Sequence, residues 1–303
     1  MGDRLKGKVA VVTGGGRGLG KCHCLALAAE GAKLVVNDLG GAVDGTGAAK
    51  GPADEVVEEI KKMGGEAVAN YDSVATFEGG ENIVKTAVDS FGSLDILINN
   101  AGVLRDRMVF NMSEEEWDTV LKVHLYGHFN TTKHACVVMR QQKSGRIVNT
   151  SSSAGLGNMG QANYSAAKEG IVGLTRTVAI DMGRYGATCN AIRPLAGTRL
   201  TLTTELFDAW KKRGMTEDQI RMMFPKPEDV SPLVVFLCTD EAAGINGRTF
   251  DIGGGNVGLY TEPENWRSIF KPGLWTVDEL CDLIPRTLTK GVENLSPPAP
   301  PKQ

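Results

Sequence analysis

The sequence is poor in the features that mark secreted, membrane-bound or nucleic-acid-binding chains. Its six cysteines, at 22, 24, 136, 189, 238 and 281, include no C-x-x-C pair. Neither a disulfide framework nor a zinc knuckle is expected from that spacing. Cys22-His23-Cys24 stands where a helix is expected. Residues two apart on a helix point to different faces, so no metal site is read there. No apolar run reaches the ~18 residues that a membrane-crossing helix needs. The first residues, MGDRLKGKVAVVTGG, lack the ~7–15-residue apolar core of a secretory signal. The last, PPAPPKQ, are not a Ser-Lys-Leu peroxisomal address. A reducing cytoplasm is the expected location. With 33 Lys and Arg against 36 Asp and Glu, the net charge is -3, and nothing attracts nucleic acid or an anionic membrane. Glycine, by contrast, is abundant at 38 residues, which suits tight turns and close backbone approaches.

Hydrophobic residues are 42% and charged ones 23% of the 303, enough to bury a sizeable core. Short apolar runs alternate with helical patterns. KVAVVTG, AKLVVND, EAVANYDS, LDILINNAG, GRIVNTSS, ATCNAIRP and RTFDIGGG read as strands. Between them lie helical stretches, including GPADEVVEEIKKMGG with glycines at its end. The stretch 113–142 reads as one long helix opened by a Ser113/Glu116 capping box. Such alternation predicts an α/β fold, a single-domain seven-stranded parallel sheet with helices on both faces. Residues 196–227 look helical and polar, either a lid over a site or a surface helical pair.

VVTGGGRGLGK follows the first expected strand and opens a helix. Glycines at 14, 18 and 20 let backbone amides approach a pyrophosphate, which the helix N-terminus also favours. Asp38 ends the second strand. A carboxylate there accepts from adenosine ribose hydroxyls and repels a 2′-phosphate, which favours NAD over NADP. Arg17, in the glycine loop, argues the other way; as a simple turn residue, Asp38 would say nothing. Asp72 ends the third strand, where its carboxylate and the adjacent amide could meet the adenine edge. Asn99-Asn100-Ala101-Gly102 ends the fourth, where small residues let a cofactor lie flat. In open α/β sheets, ligands sit beyond the carboxyl ends of the strands.

Tyr164 and Lys168 are four apart in an expected helix, so they share a face. A nearby ammonium should lower the phenol from its ordinary ~10 and let it exchange a proton at neutral pH. A serine from the neighbouring strand end, among Ser151, Ser152 and Ser153, would hold the substrate oxygen. This set suits hydride transfer between a secondary alcohol and a nicotinamide ring.

With the glycine loop, the serine cluster and Tyr164-x-x-x-Lys168 in place, the chain resembles the short-chain dehydrogenase/reductase family over roughly residues 7–255. VVNDLGG, GEAVANYDSV, NNAGVLRDR, VHLYG, GNMGQANYSAAK and PLAGTRLT make it similar to the (3R)-hydroxyacyl-CoA dehydrogenase modules of peroxisomal multifunctional enzyme type 2 and their bacterial stand-alone relatives. The resemblance implies NAD-linked oxidation of a 3-hydroxyacyl-CoA by a homodimer or homotetramer. It implies catalytic roles for Tyr164, Lys168 and an upstream serine, taken below as Ser152, and His124 is the fourth candidate. His124 stands where the family has an asparagine that positions a relay water. It is read either as doing the same, titrating near neutrality, or as propping the helix through a buried hydrogen bond. The implied cofactor set is Gly14, Arg17, Gly18, Leu19, Gly20, Asp38, Asp72, Ser73, Val74, Asn100, Ala101, Gly102, Pro194, Gly197 and Thr198, with Tyr164 and Lys168. No metal is implied.

The family's usual serine-to-tyrosine interval selects Ser151. The strand entrance at Gly145-Arg146 and the S-x-x-G pattern ending at Gly155 select Ser152. A deletion is easier in the loop 153–159 than in a strand, so Ser152 is taken. Arg105, Arg107 and Lys211–Arg213 are candidates for a basic groove receiving CoA phosphates. Alternative functions are a hydroxysteroid or other secondary-alcohol dehydrogenase, and a silent nucleotide-binding subunit. Residues 256–303 read as an extension packing on the domain or a dimer interface, with a helix from about Thr276 and a flexible end beyond about Leu295.

Overall fold

The computed structural model describes residues 2–202, 204–293 and 295. Short runs of β-branched and other apolar residues form the strands β1 (Val9–Thr13), β2 (Lys33–Asn37), β3 (Ala67–Asn70), β4 (Ile96–Asn99), β5 (Gly145–Thr150), β6 (Ala187–Pro194), β7 (Thr249–Gly253) and β8 (Asn256–Leu259). Their order in the sheet is β3-β2-β1-β4-β5-β6-β7-β8. β1 to β7 pair parallel, whereas β8 returns antiparallel to β7. The expected seven-stranded parallel sheet is thus corrected to eight strands. Gly254 and Gly255 both take positive φ, 56° and 82°, and turn the chain back on itself to form the extra edge strand.

The helices are α1 (Gly18–Ala29), α2 (Gly51–Lys62), α3 (Phe77–Phe91), α4 (Glu114–Leu121), α5 (Gly127–Gln142), α6 (Ala162–Gly183), α7 (Thr204–Lys211), α8 (Glu217–Met222), α9 (Ser231–Leu237) and α10 (Val277–Arg286). Alternation along the strands sends neighbouring residues to opposite layers. Ala10, Val12, Leu34, Val36 and Ile98 pack with Leu27 of α1, Ile60 of α2 and Val234 of α9. Val9, Val11, Val35, Leu97 and Ile147 pack with Ile83 of α3, Met139 of α5 and Met182 of α6. Both faces of the sheet are covered, as near-continuous apolar strands require.

The stretch 113–142 is not one helix. Its Ser113/Glu116 capping box is present, but Lys122–Tyr126 forms a π-turn between α4 and α5. π-turns inside helices are frequent at functional sites. The segment 196–227 holds α7 and α8, and Arg221 of α8 lies 4.9 Å from the Phe207 ring of α7.

The chain divides after Tyr260, because β8 pairs with β7; the expected boundary at 255 falls inside that hairpin. In the second unit, Thr276 caps α10 through a capping box with Glu279. Arg267 donates to the carbonyls of Thr287, Leu288 and Lys290. The expected flexible end beyond Leu295 lies outside the described residues. No described helix is long and apolar enough to cross a membrane.

Two substitutions calibrate this core. Leu97 is fully buried at the sheet centre, so Leu97→Ala should cost about 2–5 kcal/mol in urea denaturation. Val257 on β8 is 58% exposed, so Val257→Ala should stay within about 0.5 kcal/mol.

Candidate active site

The sheet order reverses between β1 and β4, and a cleft opens at their C-terminal ends, the switch point where such folds take ligands. Gly14 follows β1 with φ +64°, and a Cβ there would lie 2.8 Å from Ala101 Cα. A Cβ on Gly20 would lie 2.0 Å from Gly14 O, so only glycine closes this turn. α1 begins beside the cleft with Arg17 as N-cap, no side-chain cap and no acidic residue in its first turn. Its first amides therefore point outward without partners of the helix's own.

Fasteners hold the two banks together. Thr13 Oγ1 accepts from Asn100 N at 3.0 Å and Ala101 N at 3.1 Å. Asn100 Nδ2 donates to Thr13 O at 3.0 Å and Gly14 O at 3.2 Å. Gly14, Arg17, Gly18, Leu19, Asp38, Asp72, Ser73, Val74, Asn100, Ala101, Gly102 and Thr198 all line the cleft. Gly20 lies behind the loop it shapes. Pro194, Gly197, Tyr164 and Lys168 do not line the cleft either; Gly197 N donates to Pro225 O at 2.8 Å.

Asp38 has two tasks. It lines the cleft, and its carboxylate accepts from Gly16 N at 2.8 Å and Gly40 N at 2.7 Å. Asp72 accepts from Asn70 Nδ2 at 2.8 Å and Asn82 Nδ2 at 3.2 Å. Its own amide donates to Asn70 Oδ1 at 3.0 Å. Cleft residues absent from the sequence reading are Asn37 at the end of β2, Leu39, Gly41, Ala42 and Gly45 after it, Val103, Val123, and Arg199 and Leu200 after β6. Arg199 stood inside the quoted PLAGTRLT run, which was the available signal. Gly41 and Gly45 stood in a glycine-rich loop without periodicity.

β5 delivers the serines and α6 delivers Tyr164 and Lys168. Ser151 is buried and its Oγ donates to Lys168 O at 2.7 Å. Ser153 is exposed. Ser152 Oγ accepts from Ala154 N at 3.2 Å, starting a short 3₁₀ turn, and its hydroxyl stands near enough to the Tyr164 phenol to pull the phenol's pKa down. Consecutive side chains alternate in direction, so Ser152 is the serine brought to Tyr164.

Lys168 is 2% exposed. Its Nζ donates to Thr150 O at 2.6 Å and stands 5.4 Å from the Tyr164 ring centroid. Burial pushes its pKa down to about 7. Burial also pushes the Tyr164 phenol up to about 12, against the opposing pull of the Ser152 hydroxyl. This corrects the expected lowering of the phenol by an ammonium, because desolvation penalises both charged forms.

His124 sits in the π-turn, 1% exposed, with its ring edge-on to Tyr164 at 5.1 Å between centroids. Its Nε2 lies 2.8 Å from Val103 O and 3.1 Å from Val103 N. Burial first, and Lys168 second, hold its pKa well below the ordinary value. The expected titration near neutrality is corrected: the imidazole is neutral. It ties the Val103 wall of the cleft to the Tyr164 site, and its Nδ1 has no protein partner.

The candidates for a CoA-phosphate groove are mostly held by other partners. Arg105 Nε donates to Asp44 O at 2.7 Å, and Arg107 pairs with Glu116 at 2.8 Å. Lys211 pairs with Glu217, and Arg213 stacks on Trp210 at 5.0 Å.

The serines give a test. Ser152→Ala should lower turnover by about 100-fold or more with little change in stability, since it removes a hydroxyl at the reacting oxygen. Ser151→Ala should instead lower the melting temperature, because it leaves the buried Lys168 carbonyl without that donor. Steady-state rates and thermal melts on both variants separate the roles; the opposite pattern would reassign the site.

A family model for short chain dehydrogenases matches residues 8–210. Peroxisomal multifunctional enzyme type 2 of Mus musculus is 48% identical over 256 residues, 84% of this chain and 33% of that enzyme. This chain therefore spans about a third of that relative's length. Hydroxyacyl-CoA dehydrogenase ChsB1 of Mycobacterium tuberculosis is 42% identical over 286 residues, 91% of this chain and 87% of that one. The crystal structure of a short chain dehydrogenase from Mycobacterium avium is similar with a TM-score of 0.81 and 44% identity, covering 98% of both chains. The chain belongs to the short-chain dehydrogenase/reductase family, and is an oxidoreductase that works with a nicotinamide cofactor, NAD or NADP.

Proposed function

We propose that this chain oxidises a 3-hydroxyacyl-CoA to the 3-ketoacyl-CoA with NAD. The observation that carries the reading is the meeting of Ser152, Tyr164 and Lys168 at the end of β5, joined through His124 to the nucleotide cleft. The names of relatives 48% and 42% identical support the substrate class. Asp38 on the cleft wall supports NAD, since a carboxylate there disfavours a 2′-phosphate. The cleft suits a dinucleotide: Gly14 and Gly20 leave no room for a Cβ, and the start of α1 offers uncapped amides.

Ser152 would hold the substrate hydroxyl and Tyr164 would take its proton. The bound cofactor supplies a hydride acceptor for the carbinol carbon. Lys168, with a pKa of about 7, would exchange protons behind the phenol and bond the nicotinamide ribose. Met108, Val109, Phe110, Leu156 and Met159 are exposed apolar residues on the two loops joined by the Arg107–Gln161 bridge, which suits an acyl chain. The same reading makes the protein a homodimer or homotetramer. Tyr126, Phe129 and Val137 leave apolar surface open on and beside α5.

A panel of 3-hydroxyacyl-CoAs, free secondary alcohols and sterols, each with NAD and NADP, tests this. NADH should form on a CoA ester. The oxidation rate should rise with pH above neutrality toward the phenol's pKa of about 12, because burial keeps Tyr164 protonated at neutral pH. Tyr164→Phe should abolish turnover and keep cofactor binding. Absence of NAD-linked turnover on every CoA ester would defeat the proposal.

A further inference from the structure

After β2 the chain does not enter α2 directly. Residues 39–50 cross the nucleotide cleft as a strap, and Leu39, Gly41, Ala42 and Gly45 form part of its wall. The strap is pinned by its carbonyl oxygens. Val43 O accepts from Leu104 N at 2.9 Å, and Asp44 O accepts from Arg105 Nε at 2.7 Å. Gly41 O accepts from two arginines of the opposite bank, Arg199 at 3.2 Å and Arg17 at 3.5 Å.

The charge around Gly41 is unbalanced. Two guanidiniums, each with several N–H donors, share one carbonyl oxygen over long hydrogen bonds. The carboxylate beside them, Asp38, already accepts from Gly16 N and Gly40 N. Burial and then the charge of Arg17 push the Arg199 pKa down, with Asp38 opposing. The uncapped start of α1 adds further donors on the same wall. Here donors and positive charge outnumber acceptors, which is the complement of an anion. Guanidinium forks form stronger, charge-assisted bonds to phosphoryl oxygens than to a neutral carbonyl.

The cleft holds about 160 Å³, below the ~300–1,000 Å³ of ordinary ligand pockets. A dinucleotide seated in this cleft lies directly against the strap residues Leu39, Gly41, Ala42 and Gly45. Of the pins, those at Gly41 are the ones an incoming anion can replace.

We propose that Arg199, paired with Arg17, binds a phosphoryl group of the dinucleotide, and that this binding draws both guanidiniums off Gly41 O and releases the strap. The inference rests on the cofactor reading above. The phosphoryl group is either the diphosphate bridge or a ribose 2′-phosphate, and the choice of ligand separates the two.

The test is calorimetric titration of adenosine, ADP-ribose and 2′-phospho-ADP-ribose into wild type, Arg199→Gln, Arg199→Lys and Arg17→Gln. Amide hydrogen exchange of the strap at Ala42, Gly45 and Ala49 is followed alongside. Arg199→Gln should weaken a phosphorylated ligand by about 10–100-fold, the loss expected for a hydrogen bond to a charged group. Adenosine binding should not change, and Arg199→Lys should fall between. Unliganded Arg199→Gln should exchange its strap amides faster than wild type, as should wild type with ADP-ribose bound. Weakened ADP-ribose binding identifies the diphosphate as the group held. A loss confined to 2′-phospho-ADP-ribose identifies the 2′-phosphate and removes the preference for NAD while the arginine site stands. Unchanged affinity for both phosphorylated ligands in Arg199→Gln overturns the inference. A wild type that binds none of these ligands overturns the cofactor reading and this inference together.

Discussion

The candidate site depends on a lysine amine buried at the end of a strand. Lys168 has no carboxylate partner in its hydrogen bonding; its Nζ donates to Thr150 O. An ammonium in such a place loses its hydration and gains only a carbonyl dipole. Its pKa therefore falls to about 7, into the range where it can give or take a proton in the cell. The same burial sets its neighbours. Desolvation holds Tyr164 protonated, and desolvation together with Lys168 keeps His124 and His128 neutral. A linkage follows. An unfolded Lys168 keeps its proton up to about 10.5, whereas the folded one loses it above about 7. Between those values the unfolded chain binds more protons, so this group's destabilising effect fades as pH rises.

That lysine is placed by the sheet. β4 and β5 end side by side, and a buried polar ladder lies beneath them. Thr131 donates to Asn99, Asn99 to Asn149, and Asn149 to Thr175. These bonds tie the strand ends to α5 and α6, so the helix carrying Tyr164 and Lys168 cannot slide without leaving buried amides unpaired. On the other side of β4, Thr13 and Asn100 tie the glycine loop to Ala101. The cleft and the proton-handling groups thus share one hydrogen-bonded frame.

The parallel core was legible because strands buried on both faces read as short apolar runs, as VAVV and ILIN do. β8 was not legible: Asn256–Leu259 is short, glycine-containing and largely exposed, without alternation. The π-turn escaped because helical periodicity through 113–142 does not reveal one widened turn. Ser152 was reached by treating the loop as the short element, and the structure brings it to Tyr164. The rise of the Tyr164 pKa and the fall of the His124 pKa were missed for one reason. Their spacing reveals which charges are near, whereas burial, the larger effect, appears only when the fold is assembled. Arg199 escaped for a similar reason, since only the folded strap shows what its guanidinium faces.

The central claim is that desolvation of Lys168 governs the site. Direct titration of its amine by NMR, with labelled lysine Nζ and Lys168→Met for assignment, tests it in the unliganded protein. The account predicts a midpoint near 7 for Lys168 while exposed lysines titrate at their ordinary ~10.4. A Lys168 midpoint among those of the exposed lysines would contradict it.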